Sequence, residues 1–213
     1  IDRPVRPMFP DGFANETQVI ANLLSADFSV DFDSLGIIGA SAALLSSTIP
    51  FTTPLGAVKL GWKEGEFFLN PAPDRHAEMK MILQMAGTAT DVVMIEAGGH
   101  EFSEELFREG LALGKEWIAK ICRAQEALIN PDKLEVRPDP LLQEILQGFR
   151  ERHTQNLRQA IFTPSKKERL EKVSAVSKAA LAEIADEKLL PKAKNAFHRL
   201  ESEVFRTFLL EDG

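Results

Sequence analysis

Apolar positions recur along this chain in two periods, and each period marks a different kind of element. Between 36 and 50, reading Gly-Ile-Ile-Gly-Ala-Ser-Ala-Ala-Leu-Leu-Ser-Ser-Thr-Ile-Pro, the small residues Gly36, Gly39, Ala40 and Ala43 recur at helical spacing while Ile37, Ile38, Leu44 and Leu45 cover the other sides. The spacing predicts a helix buried on several faces, capped by Asp33 or Ser34 and stopped before Pro50. Glycine inside a helix costs roughly 0.5 to 1 kcal/mol against alanine, so the two glycines predict a close neighbour, either a sheet or a ligand. Upstream, residues 17–25 carry Val19, Ile20, Leu23 and Leu24 and read as a strand. Downstream, residues 56–62 and 66–70 read as a hairpin around Lys63-Glu64-Gly65, whose glycine permits a positive backbone dihedral. Residues 79–86 fit either period, but Gly87-Thr88 separates them from the apolar run at 91–97, and two adjacent strands fit best. Ser103, followed by Glu104 and Glu105, is a helix cap with negative charge at the positive end of the dipole. The helix it opens carries Leu106, Phe107, Leu111, Trp117, Ile118, Ile121, Cys122, Leu128 and Ile129 in one stripe and is predicted to run to about Asn130-Pro131.

The pattern changes at residues 131–140, where Pro131, Pro138 and Pro140 and several charges interrupt every period, as in a linker. Beyond it only helical spacing remains. Leu141, Leu142, Ile145, Leu146 and Phe149 form one stripe and residues 157–162 a short second. Ser165-Lys166-Lys167-Glu168 reads as a capping box opening a third helix, and Ala193, Phe197, Leu200, Val204 and Phe208 mark a fourth. The expected organisation is an α+β domain over 1–130, a linker over 131–140 and a small helical bundle over 141–213.

Composition changes this picture little. With 44% hydrophobic and 27% charged residues over 213 positions, the chain is ordinary for a globular protein, and no run of about 18 apolar residues is long enough to span a membrane. A single cysteine, Cys122, cannot form an internal disulfide, and no secretory signal opens the chain, so the expected compartment is the cytoplasm. The chain starts at Ile1 without a methionine and is expected to be a piece of a longer polypeptide.

Charge is more informative locally than globally. A net charge of -7 argues against nucleic acid only as an average, because a local basic cluster binds phosphate on an acidic protein too. Arg3 and Arg6 stand among Pro4, Pro7 and Pro10, which limit regular hydrogen bonding and hold the two side chains on a stiff segment. They are surface arginines bridged to acids, Asp2 first among them, or contacts to a phosphate backbone. Cys122 lies on an apolar stripe as a packed thiol, Trp62 and Trp117 sit in apolar patterns that favour burial over base stacking, and His76, His100, His153 and His198 are too scattered for a metal site.

Five stretches carry a resemblance that periodicity cannot. Ile-Asp-Arg-Pro-Val-Arg-Pro-Met-Phe-Pro at 1–10, Ile-Gly-Ala-Ser-Ala-Ala-Leu at 38–44, Leu-Asn-Pro at 69–71, Met-Ala-Gly-Thr at 85–88 and Val-Met-Ile-Glu-Ala at 93–97 occur in one order, and together they resemble bacterial polynucleotide phosphorylases. The resemblance covers essentially the whole chain. It implies an α+β core like ribonuclease PH (of the ribosomal protein S5 domain 2-like type), followed by the family's small all-α helical bundle. In that family two such cores flank the helical domain, and this chain matches the first core, without its opening strands, and the helical domain.

The resemblance also implies an activity: phosphorolysis of single-stranded RNA from its 3′ end to nucleoside diphosphates, by a homotrimeric ring that works with other RNA-degradation proteins and away from membranes. Magnesium and inorganic phosphate are then expected in the second core and none in this chain. Where that second core has a serine-rich phosphate cradle, this chain has Asp31-Phe32-Asp33, two carboxylates that would repel phosphate. Where it has two aspartates and a lysine, counting back from Ala86 gives His76, Ile82 and Gln84, with Lys80 nearby. The expectation is a half with no catalytic and no metal-binding residues, serving ring assembly and RNA guidance, with Arg3 and Arg6 as its RNA contacts. The alternative is a regulatory or assembly module that binds partner proteins without touching RNA.

Overall fold

A computed structural model describes residues 1–137 and 139–211 and divides the chain into two compact units, Ile1–Arg137 and Pro138–Gly213. The first is an α+β core and the second is all helix. In the first, four antiparallel strands, β1 (Gly56–Lys63), β2 (Glu66–Leu69), β3 (Met81–Gly87) and β4 (Val92–Gly99), lie in the order β2-β1-β3-β4. The β1–β2 hairpin closes through Glu64 and Gly65, both at positive φ, as its sequence requires. Pairing of Leu60 with Leu83 and of Lys59 with Gln84 fixes which side chains share a face. Val58, Leu60, Met81, Leu83 and Met85 form one buried apolar face, covered by helix α3 (Glu104–Gln125). Ala57, Lys59, Gln84 and Ala86 form the other, covered by helix α2 (Phe32–Ser46) through Ser34, Ile37 and Ser41.

The glycines that let a helix lie close to the sheet are on α3, not on α2. A Cβ on Gly39 would meet nothing within 4 Å, and one on Gly36 would meet only the Ile1 side chain at 3.5 Å, so the two glycines of the ridge face outward, and only Ala40 of its four small residues packs into the core. The close approach to the sheet is made by α3, where a Cβ on Gly110 would stand 3.1 Å from Leu83 and one on Gly114 would collide with Met85. Helix α2 also starts earlier than expected, with Asp31 as its cap: the Asp31 carboxylate accepts a hydrogen bond from the Asp33 amide at 2.9 Å.

Two other expectations fail. Residues 17–25 join no ladder, and Ile20, Leu23 and Leu24 stand exposed, because a β-rich run becomes a strand only where another strand takes its hydrogen bonds. Helix α3 stops at Gln125, and Leu128 and Ile129 leave its stripe for a short 3-10 turn and the segment beyond. That segment serves the other end of α2. The Lys133 ammonium donates to the carbonyls of Leu44 at 3.1 Å, Leu45 at 2.7 Å and Ser47 at 2.8 Å, the groups an α-helix leaves unsatisfied at its carboxyl end. Part of what reads as linker is therefore a helix cap. Pro138 lies outside the described residues.

In the second unit, helices α4 (Pro140–Ile161), α5 (Lys166–Ala182) and α6 (Leu190–Glu211) account for the four expected stripes. The first two are one helix: Phe149, His153, Leu157 and Ala160 continue a single buried line, and no breaker separates them. The capping box at Ser165 does not form, since its side chain makes no cap hydrogen bond. The core gathers Leu146, Phe149, Leu157, Ala180, Phe197 and Leu200. At its rim Glu183 takes Arg152 at 2.8 Å and lies 2.7 Å from His153 Nε2, tying the end of α5 to α4. Helix α6 runs through Leu209 and Leu210, and Asp212 and Gly213 lie outside the described residues.

Candidate nucleic-acid interface

Arg3 and Arg6 do not sit on an irregular segment. Asp2–Val5 form a single helical turn, α1, continued by a 3-10 turn over Arg6–Met8, with Pro4 and Pro7 where a first turn needs no amide. Val5 packs into the cluster of Leu44, Leu45, Phe51 and Leu55, which fixes the turn and leaves both arginines at the surface. Arg6 forks onto Asp2, with Nη2 2.8 Å and Nε 3.1 Å from Oδ1, while Arg3 reaches Glu96 on β4 at 3.4 Å. Asp2 is thus the partner of one arginine, and Glu96 is a partner the sequence did not announce. The four side chains are 66% to 77% exposed, so these pairs hold little energy, and a phosphate oxygen can take the place of either carboxylate. Beside them a cavity of about 830 Å³ opens between the outward face of α2 and the 19–23 segment, with Arg3, Asp33, Gln84 and Glu96 among its lining residues.

The amino end of α2 holds the strongest electrostatic arrangement of the unit. Lys59 is 7% exposed, and its ammonium meets both Asp31 and, at 3.0 Å, Asp33. Burial would raise the Asp31 pKa, but the Lys59 hydrogen bond, the Asp33 amide and the lysine charge outweigh it and hold the carboxyl below its ordinary value. Burial would likewise lower the Lys59 pKa, but the hydrogen bonds and charges of the two aspartates hold it above the lysine value. The pair is therefore ionised across the neutral range. His76 Nε2 lies 3.8 Å from Asp31 and 3.0 Å from the Pro71 carbonyl, and Gln84 donates to Ser34 at 3.0 Å. Counting residues from Ala86 does bring His76 and Gln84 to the first turn of α2, and Ile82 lies two positions before Gln84 on the same strand face. An isoleucine offers no ligand oxygen, and among the described residues no three histidine, cysteine or acidic side chains are grouped closely enough to hold a metal ion. Sequence reasoning saw the two aspartates as a deterrent to phosphate and missed Lys59, whose position 26 and 28 residues further along β1 gave no local signal.

The remaining singled-out residues are structural. Cys122 is buried with its sulfur 3.4 Å from the Pro54 carbonyl, and burial pushes its thiol pKa up, away from the reactive thiolate. Trp62 and Trp117 are half-buried against the α3 side of the core, with Lys80 and Lys120 lying over their rings at 5.8 Å and 4.0 Å. No described helix is long and apolar enough to cross a membrane.

No protein-family model matches the chain. It is similar from end to end to curated proteins named polyribonucleotide nucleotidyltransferase: 37% identical over 220 residues to that of Acidiphilium cryptum (strain JF-5), covering 100% of this chain and 30% of the relative. Identity is 40% over 213 residues to that of Koribacter versatilis (strain Ellin345), with 97% and 26% covered, and 36% over 217 residues to that of Aquifex aeolicus (strain VF5), with 100% and 28% covered. The chain spans less than a third of the length of these relatives. By sequence, then, it is a relative of one stretch of the polyribonucleotide nucleotidyltransferases, the stretch that folds here as an α+β core and a helical bundle.

Proposed function

We propose that this chain is a non-catalytic stretch of a phosphorolytic 3′-to-5′ exoribonuclease, contributing shape to a homotrimeric ring and guiding single-stranded RNA through Arg3 and Arg6. The observation that carries the reading is the end-to-end similarity to proteins named for polyribonucleotide nucleotidyl transfer. Two exposed guanidinium groups on consecutive turns of a pinned segment support it, since backbone contacts of this kind grip RNA without reading its sequence. Magnesium and inorganic phosphate belong, in this reading, to a second core outside the stretch. The first turn of α2 supports that assignment, because its Asp31, Asp33 and Lys59 are engaged with one another.

The test is an electrophoretic shift of labelled poly(A) over a salt series. Each phosphate contact to a single strand contributes a slope of about 0.7 in log K against log salt, so Arg3→Ala/Arg6→Ala should flatten the slope by about 1.4. An unchanged slope in the double variant overturns the role of the two arginines. A second reading, a module that binds partner proteins without RNA, is favoured by the exposed Ile20, Leu23, Leu24 and Phe28. It predicts no RNA shift at any salt.

A further inference from the structure

We propose that the groove between α5 and α6 is a docking site for an amphipathic helix of a partner protein, with acidic residues in its first turn, which completes the bundle as a fourth member. Helix α4 packs against both α5 and α6, while those two meet each other much less, so the three stand as a four-helix bundle with one position open. That position is a groove of about 500 Å³, lined by Leu170, Val173 and Lys178 from α5 and by Lys194, Phe197 and Glu201 from α6. Each set recurs at helical spacing, as one face of its helix.

The groove has an apolar floor and a charged end. Phe197 belongs to the bundle core and Val173 packs against it, while Leu170, 62% exposed, stands at the side. On α6 the same face runs on through the exposed Phe205 and Leu209. From Lys194 to Leu209 it is about 22 Å long at 1.5 Å per residue, which fits a helix of about 15 residues. Phe197, the aromatic ring in the floor, is 4% exposed and offers no face for a stacked base, which favours a protein partner over RNA. The short connection over 183–189 brings the end of α5 beside the start of α6, so Lys178 and Lys194 share one end of the groove. Among the described residues neither ammonium has a carboxylate partner, whereas Arg150, Arg152 and Lys192 of the same bundle each have one. Two like charges on one rim call for an acid between them. Acids in the first turn of a docked helix supply it, since they also meet the positive end of that helix's own dipole. The proposal concerns the helical unit alone, and a failure of Arg3 and Arg6 to grip RNA would leave it untouched.

The experiment measures fluorescence anisotropy of two labelled synthetic helices of about 15 residues, titrated with the whole chain. Both carry leucine at every third or fourth position; one has glutamates in its first turn and the other lysines. The acidic peptide should bind, and the basic one at least about tenfold more weakly. Lys178→Glu/Lys194→Glu, at two exposed positions, should reverse that order, and Leu170→Asp should weaken binding about tenfold. Should the glutamate variant not fold, Lys178→Ala/Lys194→Ala is read instead and should erase the preference. The proposal is overturned if neither peptide binds, if the charge variants keep the original order, or if Leu170→Asp changes nothing. Displacement of the acidic peptide by poly(A) overturns it in favour of RNA. Self-association of the chain that Leu170→Asp abolishes, followed by sedimentation, overturns it in favour of a second copy.

Discussion

On the α3 side of the sheet, Leu60, Met81, Leu83 and Met85 meet a helix whose Gly110 and Gly114 let it lie directly against them. On the α2 side, the same two central strands present Lys59 and Gln84, and the helix answers with Asp31, Asp33 and Ser34. The first interface is held by area, at about 1.5 to 3 kcal/mol for each large side chain buried, and is indifferent to pH and salt. The second is held by a buried charge network in which each partner is needed to keep the others from being stranded. One sheet thus separates a dry face held by packing from a polar face held by charge and hydrogen bonds.

The largest effect should come from breaking the polar face. Lys59→Met leaves Asp31 buried without its cation and is expected to cost about 3 to 5 kcal/mol in urea unfolding at neutral pH. The effect carries a pH signature. Because Asp31 titrates below its ordinary value of 3.8 in the folded chain, the stability it brings is present above that value and is lost as pH falls through the lowered one. The gap between Lys59→Met and the parent should therefore close in acid. A gap that stays constant down to pH 3 would mean the lysine matters for packing alone.

Overpacking the dry face should cost less and show no such closure. Gly114→Val places a branched side chain against Met85 and is expected to destabilise by about 2 to 3 kcal/mol, equally at pH 7 and at pH 4. The smallest effect has the opposite sign. Gly39→Ala, in the middle of α2 with open space before it, should stabilise by about 0.5 to 1 kcal/mol through helix propensity. A loss there would show that the outward ridge of α2 touches something after all.

The same contrast explains what could be read in advance. The hairpin at Glu64-Gly65, the cap at Ser103 and the apolar stripes of α3 and α4 follow from local chemistry, and local chemistry is legible along a chain. The choice of which glycine-bearing helix approaches the sheet is not local. Gly110 and Gly114 hide among Leu106, Leu111 and Ile118, whereas Gly36 and Gly39 advertise themselves in a run of small residues. Residues 17–25 have every intrinsic mark of a strand, but a ladder needs a second strand and the pattern of one segment cannot supply it. The first turn of α2 was half legible: its aspartates and the positions of His76 and Gln84 could be counted, but Lys59 looked like an ordinary polar residue in an alternating strand. Arg3 and Arg6 stood out by type, and their partner Glu96 did not, because it comes from the far edge of the sheet.

The account rests on a stretch that grips RNA and leaves the phosphate chemistry elsewhere. Incubating the 213-residue chain with poly(A), magnesium and inorganic phosphate, and following nucleoside diphosphates alongside retained RNA, tests this in one measurement. The account predicts salt-sensitive retention of RNA with no diphosphate released. Phosphate-dependent release of nucleoside diphosphates by this chain alone would contradict it.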